Sequence, residues 1–221
     1  MTKSKLQITL DGSHTLISNF EGETYHSSFG AIQESQHIFI KHGLAQVHDY
    51  MKRVKILEVG TGTGLNVLLS YLWSEDNDVS IEYKGFEPFP LQENEVADLN
   101  YPKLLSIKNE IFSLIHSNKN KEIVLSNMFT LKICMSQIQK AQLRDNYYNL
   151  VFFDAFSPDA QPELWTTQVF TKIFKSLASG GILTTYSCKG SVKRSMQEAG
   201  FDIEKVPGPP GKREFLRATK G

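Results

Sequence analysis

Apolar and polar positions along the chain follow two different periods, and the switches between them mark out the elements. "LQITLDGSHTLIS" (6–18) alternates around Asp11-Gly12, which predicts a β-hairpin. Apolar Ile32, Ile38, Phe39, Leu44 and Val47 then recur at helical spacing, predicting a helix from about Ala31 to Tyr50. From residue 53 the chain repeats short apolar strands and helices. "RVKILEVG" (53–60) reads as a strand, "LNVLLSYLWSE" (65–75) as a helix and "VSIEYKGFE" (79–87) as a second strand, with helical segments up to about Ser117. "KEIVLSNMFTLKICM" (121–135) reads as two strands around Ser126-Asn127, followed by helix from Ile138. "YYNLVFFDAF" (147–156) predicts a buried strand, "LWTTQVFTKIFKSLA" (164–178) a helix, "SGGILTTYSC" (179–188) a strand and "GSVKRSMQEAG" (190–200) a helix. "FDIEKVPGPPGKREFLRATK" (201–220) closes with two strands about a Pro/Gly turn.

Strands alternating with helices predict an α/β protein with a doubly wound, mainly parallel sheet. The final hairpin would add one antiparallel strand to it. Residues 1–50 are expected to form a hairpin-and-helix extension packed on a main domain of residues 51–221.

Composition narrows the class only slightly. Of the 221 residues 40% are apolar and 22% charged, as in ordinary globular proteins. No apolar run approaches a membrane span, and the N-terminus has no apolar core of a secretory signal. Two cysteines, Cys134 and Cys188, make neither a disulfide framework nor a metal-type spacing. A reducing, cytoplasmic location is expected. His37, His42 and His48 are spaced by five and six, which does not make a close ligand set, and no metal is expected.

The net charge is zero, which argues weakly against a nucleic-acid binder, but its distribution is uneven. Residues 186–221 carry eight Lys/Arg against four Asp/Glu, enough for a local basic face toward phosphates.

"EVGTGTGLN" (58–66) joins a strand to a helix through three glycines. Such a loop lets backbone approach a nucleotide-like ligand beside a helix N-terminus. No Gly-Lys-Ser/Thr follows, so it is not a Walker A loop. A dinucleotide fingerprint starting at Gly60 would need glycine at 65, where Leu65 stands. The pattern is E-x-G-x-G-x-G, with Glu58 at the strand end. An acid there suits the cationic sulfonium and amino group of S-adenosyl-L-methionine and would repel a pyrophosphate. Glu87, at the tip of the next strand, is placed to take ribose hydroxyls.

"VFFDAFSP" puts Asp154 at the tip of a buried strand, facing the crevice where open α/β sheets bind ligands. The position fits a carboxylate accepting a hydrogen bond from a nitrogen nucleophile. Phe156, Trp165 and Tyr186 lie on the same side and are candidates to wall a flat substrate. No nucleophile elbow is present, because position 62 of the loop is glycine.

Taken together, these segments resemble one family, the methyltransferase half of MnmC and its free-standing relatives. MnmC is the bifunctional enzyme that finishes 5-methylaminomethyl-2-thiouridine at the tRNA wobble position. The resemblance runs through "ETYHSSFGAIQESQHIFIKHGL" (23–44), the glycine loop, "GFEPFPL" (85–91), "FFDAFSPDAQPELW" (152–165), "TYSCKGSVKRSMQEAGF" (185–201) and "PGKREFL" (210–216). It implies a Rossmann-like class I S-adenosyl-L-methionine-dependent methyltransferase. Glu58, Gly60, Thr61, Gly62, Gly64, Asn66 and Glu87 would hold the cofactor, and Asp154 would face the acceptor amine as the catalytic residue. Tyr25, His26 and Ser27 would help close the pocket, and Lys193, Arg194, Lys212 and Arg213 would lie toward tRNA. Gln137 stands where the family tends to carry an acid near the adenine. The family's flavin-dependent oxidase half has no counterpart in these residues, so the resemblance implies methylation of an aminomethyl group installed by other enzymes. The alternatives left open are methylation of another amine, in a small molecule or a protein, and non-catalytic cofactor binding.

Overall fold

The structure, a computed structural model, describes residues 4–18, 22–48 and 51–221. The hairpin forms as expected: β1 (Lys5–Ile8) pairs antiparallel with β2 (His14–Ile17) as a separate two-stranded sheet. Its turn is built by Asp11, whose Oδ1 accepts from the Thr9 hydroxyl at 2.8 Å and the Ser13 N–H at 3.0 Å, with Gly12 left-handed. Asp11 Oδ2 also accepts from the Gln33 N–H at 2.9 Å, so the turn caps the first turn of the helix that follows.

That helix is not uniform. α1 (Ala31–Ser35) runs into a π-helical segment (Gln36–Leu44) and then α2 (Ala45–His48). Asp49 and Tyr50, at the end of the expected helix, lie outside the described residues.

The main sheet has eight strands in the order β5-β6-β4-β3-β7-β8-β10-β9. They are β3 (Arg53–Val59), β4 (Ser80–Phe86), β5 (Glu122–Ser126), β6 (Phe129–Cys134), β7 (Tyr148–Phe153), β8 (Leu177–Thr185), β9 (Asp202–Pro207) and β10 (Glu214–Thr219). The run from β6 through β4, β3 and β7 to β8 is parallel. β10 is antiparallel to β8, as expected of the last hairpin. β5 is a second antiparallel strand, at the opposite edge.

Helices lie on both faces: α3 (Leu65–Asn77), α4 (Glu93–Ala97), α5 (Tyr101–Leu104), α6 (Asn109–Ser117), α7 (Thr167–Ser176) and α8 (Gly190–Glu198). Successive residues of the central strand β7 serve opposite cores. Leu150 and Phe152 pack with Phe39, Leu68 and Tyr83, whereas Val151 and Phe153 pack with Phe170, Ile173 and Met196.

The helix expected from Ile138 is only a three-residue 3-10 turn, Ile138–Lys140. Lys172 on α7 reaches across it and donates to the carbonyls of Ile138 (3.3 Å), Gln139 and Ala141 (3.1 Å). Carbonyls held by an ammonium are poorly placed to extend a helical ladder, and Ala141 turns to extended backbone.

The sheet changes winding direction between β3 and β7, neighbours whose crossovers run to opposite sides. Loops leaving two adjacent strand tips therefore diverge and leave a crevice.

Candidate active site

The crevice is a cavity of about 580 Å³, lined by the glycine loop, the β4, β6 and β7 tips, residues 22–29 and Lys212. Backbone bonds tie the strand tips into one rim. The Gly60 N–H donates to Phe86 O at 3.0 Å, the Asp154 N–H to Val59 O at 2.9 Å and the Glu87 N–H to Cys134 O at 3.0 Å.

The glycines are demanded by close approach. At Gly60 (φ +85°) a Cβ would stand 2.5 Å from Asp154 O, and at Gly62 (φ +47°) it would meet the Tyr25 ring at 2.9 Å. Thr61, between them, lines the cavity, while its buried hydroxyl sits over Gly85 of β4 with no hydrogen-bond partner among the described residues. Glu87 is fixed by its own neighbours: Oε2 accepts from the Gly62 N–H and Oε1 from the Phe89 N–H, both at 2.9 Å. Burial raises its pKa, and those two N–H donors oppose the rise.

Glu58 and Asp154 differ in exposure. Glu58 is fully buried and does not line the cavity, whereas Asp154 does. The Asn66 side-chain amide on α3 bridges them, donating to Glu58 Oε1 at 2.9 Å and to Asp154 Oδ2 at 2.8 Å. Burial pushes Glu58 up to about 8, partly offset by the Asn66 hydrogen bond. Burial likewise pushes Asp154 up to about 7, with the Glu34 charge the next largest influence. The Tyr83 hydroxyl is close enough to feel Glu58, but neither it nor Glu58 Oε2 has a hydrogen bond of normal geometry.

Residues 22–29 roof the cavity and are tied to the loop after β7. Glu23 accepts from the Ser157 N–H at 2.9 Å and from its hydroxyl, and Tyr25 meets Phe156 edge-on at 4.9 Å. His26 is buried with Nε2 2.6 Å from Thr63 Oγ1, and burial drops its pKa to about 4. The Ser27 N–H donates to Glu34 Oε1 at 3.1 Å. Tyr186 lines the cavity and donates to Ala155 O at 2.9 Å.

The structure thus gathers Tyr25, His26, Ser27, Gly60, Thr61, Gly62, Glu87, Gln137, Asp154, Phe156, Tyr186 and Lys212 around one cavity. Others lie behind it or on its outer side. Gly64 and Asn66 stand behind, where a Cβ on Gly64 would meet His116 Nε2 at 3.0 Å. Trp165 is buried with Phe153 and Phe170, and its indole N–H supports Phe156 by donating to its carbonyl at 2.9 Å. Lys193 and Arg194 are on α8, and Arg213 is exposed beside Lys212, all outside the lining.

Three carboxylates escaped the sequence reading, Glu23, Glu34 and Glu163. With Glu87 and Asp154 they line the cavity, against one lining Lys/Arg among the described residues, Lys212. The site is built for positive charge. Among the described residues, no group of three His, Cys, Asp or Glu is arranged to hold a metal. No helix there is long and apolar enough to cross a membrane.

Comparison with known proteins agrees with this geometry. The model of the family described as S-adenosyl-L-methionine-dependent methyltransferase matches residues 105–221. The chain is 29% identical to the tRNA 5-methylaminomethyl-2-thiouridine biosynthesis bifunctional protein MnmC of Azoarcus sp. (strain BH72), over 98% of this chain and 35% of that protein. To the protein of the same name from Aliivibrio fischeri it is 27% identical over 94% of this chain. It therefore spans about a third of the length of the curated relatives it matches. Among solved structures, MnmC2 from Aquifex aeolicus superposes with a TM-score of 0.82 at 28% identity, covering all of this chain and 71% of that one. Spermidine synthase from Thermotoga maritima, at 11% identity and a TM-score of 0.56, shares the fold.

Proposed function

The chain belongs to the S-adenosyl-L-methionine-dependent methyltransferases, and from that premise we propose that it methylates the aminomethyl group of 5-aminomethyl-(2-thio)uridine at the tRNA wobble position. The observation that carries the reading is Asp154, a carboxylate at the tip of β7 in a cavity whose lining is acidic. The names of the MnmC relatives supply the acceptor.

The residues present fit the cofactor. The glycine loop, held close against the Asp154 carbonyl and the Tyr25 ring by Gly60 and Gly62, and the N–H-anchored Glu87 carboxylate line a cradle that suits an adenosine with a cationic tail. Glu87 would take the ribose hydroxyls, and Gln137 would stand near the adenine. When bound, the cofactor supplies an electrophilic methyl group.

The chain's own work is to present a neutral amine. A primary amine with a lysine-like pKa near 10.4 is protonated at pH 7, and freeing its lone pair would cost roughly 4–5 kcal/mol. Asp154 attracts the ammonium and orients it. Because burial holds its carboxyl near 7, it is also a better proton acceptor than an exposed aspartate. Tyr25, Phe156 and Tyr186 offer ring surfaces to a pyrimidine, and proximity to the methyl donor supplies much of the acceleration. Acceptor tRNA would approach over Lys193, Arg194 and Arg213, at a cytoplasmic location after other enzymes have installed the aminomethyl group.

The test is incubation with S-adenosyl-L-methionine and tRNA from a strain blocked at the aminomethyl stage, followed by nucleoside mass analysis. One added methyl group on the wobble nucleoside is expected, and no gain would sink the acceptor assignment.

A further inference from the structure

The cavity holds an ion pair that the methyl-transfer chemistry leaves without a task. Glu34, on α1, is 7% exposed, and its Oε2 stands 2.9 Å from Lys212 Nζ. The two partners are unequally held. The Glu34 side chain is 9% exposed and anchored from below by the Ser27 N–H, whereas that of Lys212 is 26% exposed. Lys212 belongs to the loop between β9 and β10, and its ammonium also lies 4.3 Å from the centre of the Tyr186 ring. The acid is part of the wall, and the cation is the half that can leave.

We infer that Glu34 is a second acceptor-side carboxylate, and that the Lys212 ammonium keeps a seat which the acceptor's own alkylammonium takes on binding. The seat has the composition that primary ammonium ions favour: two carboxylates, Glu34 and Asp154, with the face of Tyr186. Both carboxylates line the one cavity, and the Glu34 charge acts on Asp154 more strongly than any other charge does. A buried carboxylate left without a cation is costly, so Lys212 neutralises Glu34 while the seat has no acceptor. Exchange of one ammonium for another conserves charge, so it favours a cationic acceptor over a neutral one of the same shape. Glu34 is therefore a specificity residue that selects an alkylamine, and the proton later lost by that amine passes to Asp154. The inference rests on the amine-methylation reading above.

The experiment uses the full chain saturated with S-adenosylhomocysteine and two synthetic anticodon stem-loops. One carries 5-aminomethyluridine at the wobble position and the other 5-methyluridine, and the ratio of their Kd values is read at pH 7 by fluorescence anisotropy. Wild type should bind the amine-bearing stem-loop at least tenfold more tightly. Glu34→Gln should cut that ratio about tenfold while S-adenosylhomocysteine affinity and the binding of the 5-methyluridine stem-loop hold. Lys212→Met should raise the ratio several-fold, because no internal cation competes for the seat. A merely structural ion pair would leave the ratio untouched in both variants, and that result overturns the inference. Should Glu34→Gln fail to bind S-adenosylhomocysteine, Lys212→Met decides alone, and a ratio unchanged or lowered refutes it. A wild-type ratio near one would overturn the inference, whereas the amine-acceptor reading stands or falls separately on methyl gain in the nucleoside assay above.

Discussion

Glu58 and Asp154 share one donor: the Asn66 amide gives one N–H to each, at 2.9 and 2.8 Å. The arrangement also fixes the amide's orientation, because its oxygen could not face two carboxylates without both being protonated. A buried acid inside the core is thereby coupled to the acid at the cavity.

The first consequence concerns catalysis. Asp154 must be ionised to attract and deprotonate an amine, so its rise to about 7 predicts kcat/KM increasing with pH through neutrality. Asn66 favours the ionised form. Asn66→Ala should move that acidic limb upward and lower turnover at pH 7 about tenfold, with a smaller effect above pH 8.5. A pH–rate profile of the variant checks this, and an unmoved limb would separate Asn66 from Asp154.

Stability should carry the same signature. Glu58 and Asp154 have folded pKa values raised to about 8 and about 7 from ordinary values of 4.5 and 3.8. Between the ordinary and raised values the folded chain holds more protons than the unfolded one, so stability falls as pH rises. Their contribution is fully present below about pH 4 and lost by about pH 8. His26 and His116 act oppositely: burial lowers both to about 4, so their contribution is present above 6.5 and lost as pH falls through 4. Glu58→Gln should flatten the decline between pH 6 and 9, a difference on the order of a few kcal/mol. Denaturant melts at pH 6 and 9 measure it, and equal declines in variant and wild type would exclude Glu58.

Two left-handed glycines should behave differently when given a methyl group. Gly12→Ala meets open space, so only backbone strain of about 1–2 kcal/mol is expected, with cofactor affinity unchanged. Gly60→Ala suffers the same strain and also drives Cβ into the Asp154 carbonyl. It should lose at least tenfold in S-adenosyl-L-methionine affinity, read by calorimetry. Equal affinity in the two variants would mean the loop does not form the cradle.

The glycine loop and Asp154 were legible in the sequence because each is local: fixed glycine spacing, and an acid ending an apolar strand. What escaped was set by packing. Trp165 follows Asp154 closely, yet spacing cannot say whether its ring meets the cavity or Phe170, and it meets Phe170. The π-helical segment breaks the 3.6-residue period, bringing His37 and His42 to ring centroids 4.8 Å apart at a spacing a regular helix would separate. Glu23 and Glu34 reach the site only because the N-terminal segment folds over it, and Glu23 finds its partner Ser157 across 134 residues. No local pattern encodes such a contact.

Lys172 is the residue where a distant contact should be felt at the cavity. From α7 its ammonium collects the carbonyls of Ile138, Gln139 and Ala141, the turn that sets Gln137, Ile138 and Gln139 in the cavity wall. Three charge-assisted bonds from a half-buried lysine hold a turn too short to hold itself. Lys172→Met keeps the aliphatic stem and removes the donors, so the turn should loosen while α7 remains packed. S-adenosyl-L-methionine binding should weaken about five- to tenfold, and kcat at saturating cofactor should stay within about twofold of wild type, because Asp154 stands on the other side of the cradle. Calorimetry and saturation kinetics separate the two quantities. A fall in kcat with unchanged cofactor affinity would show that the turn serves the acceptor instead of the adenine.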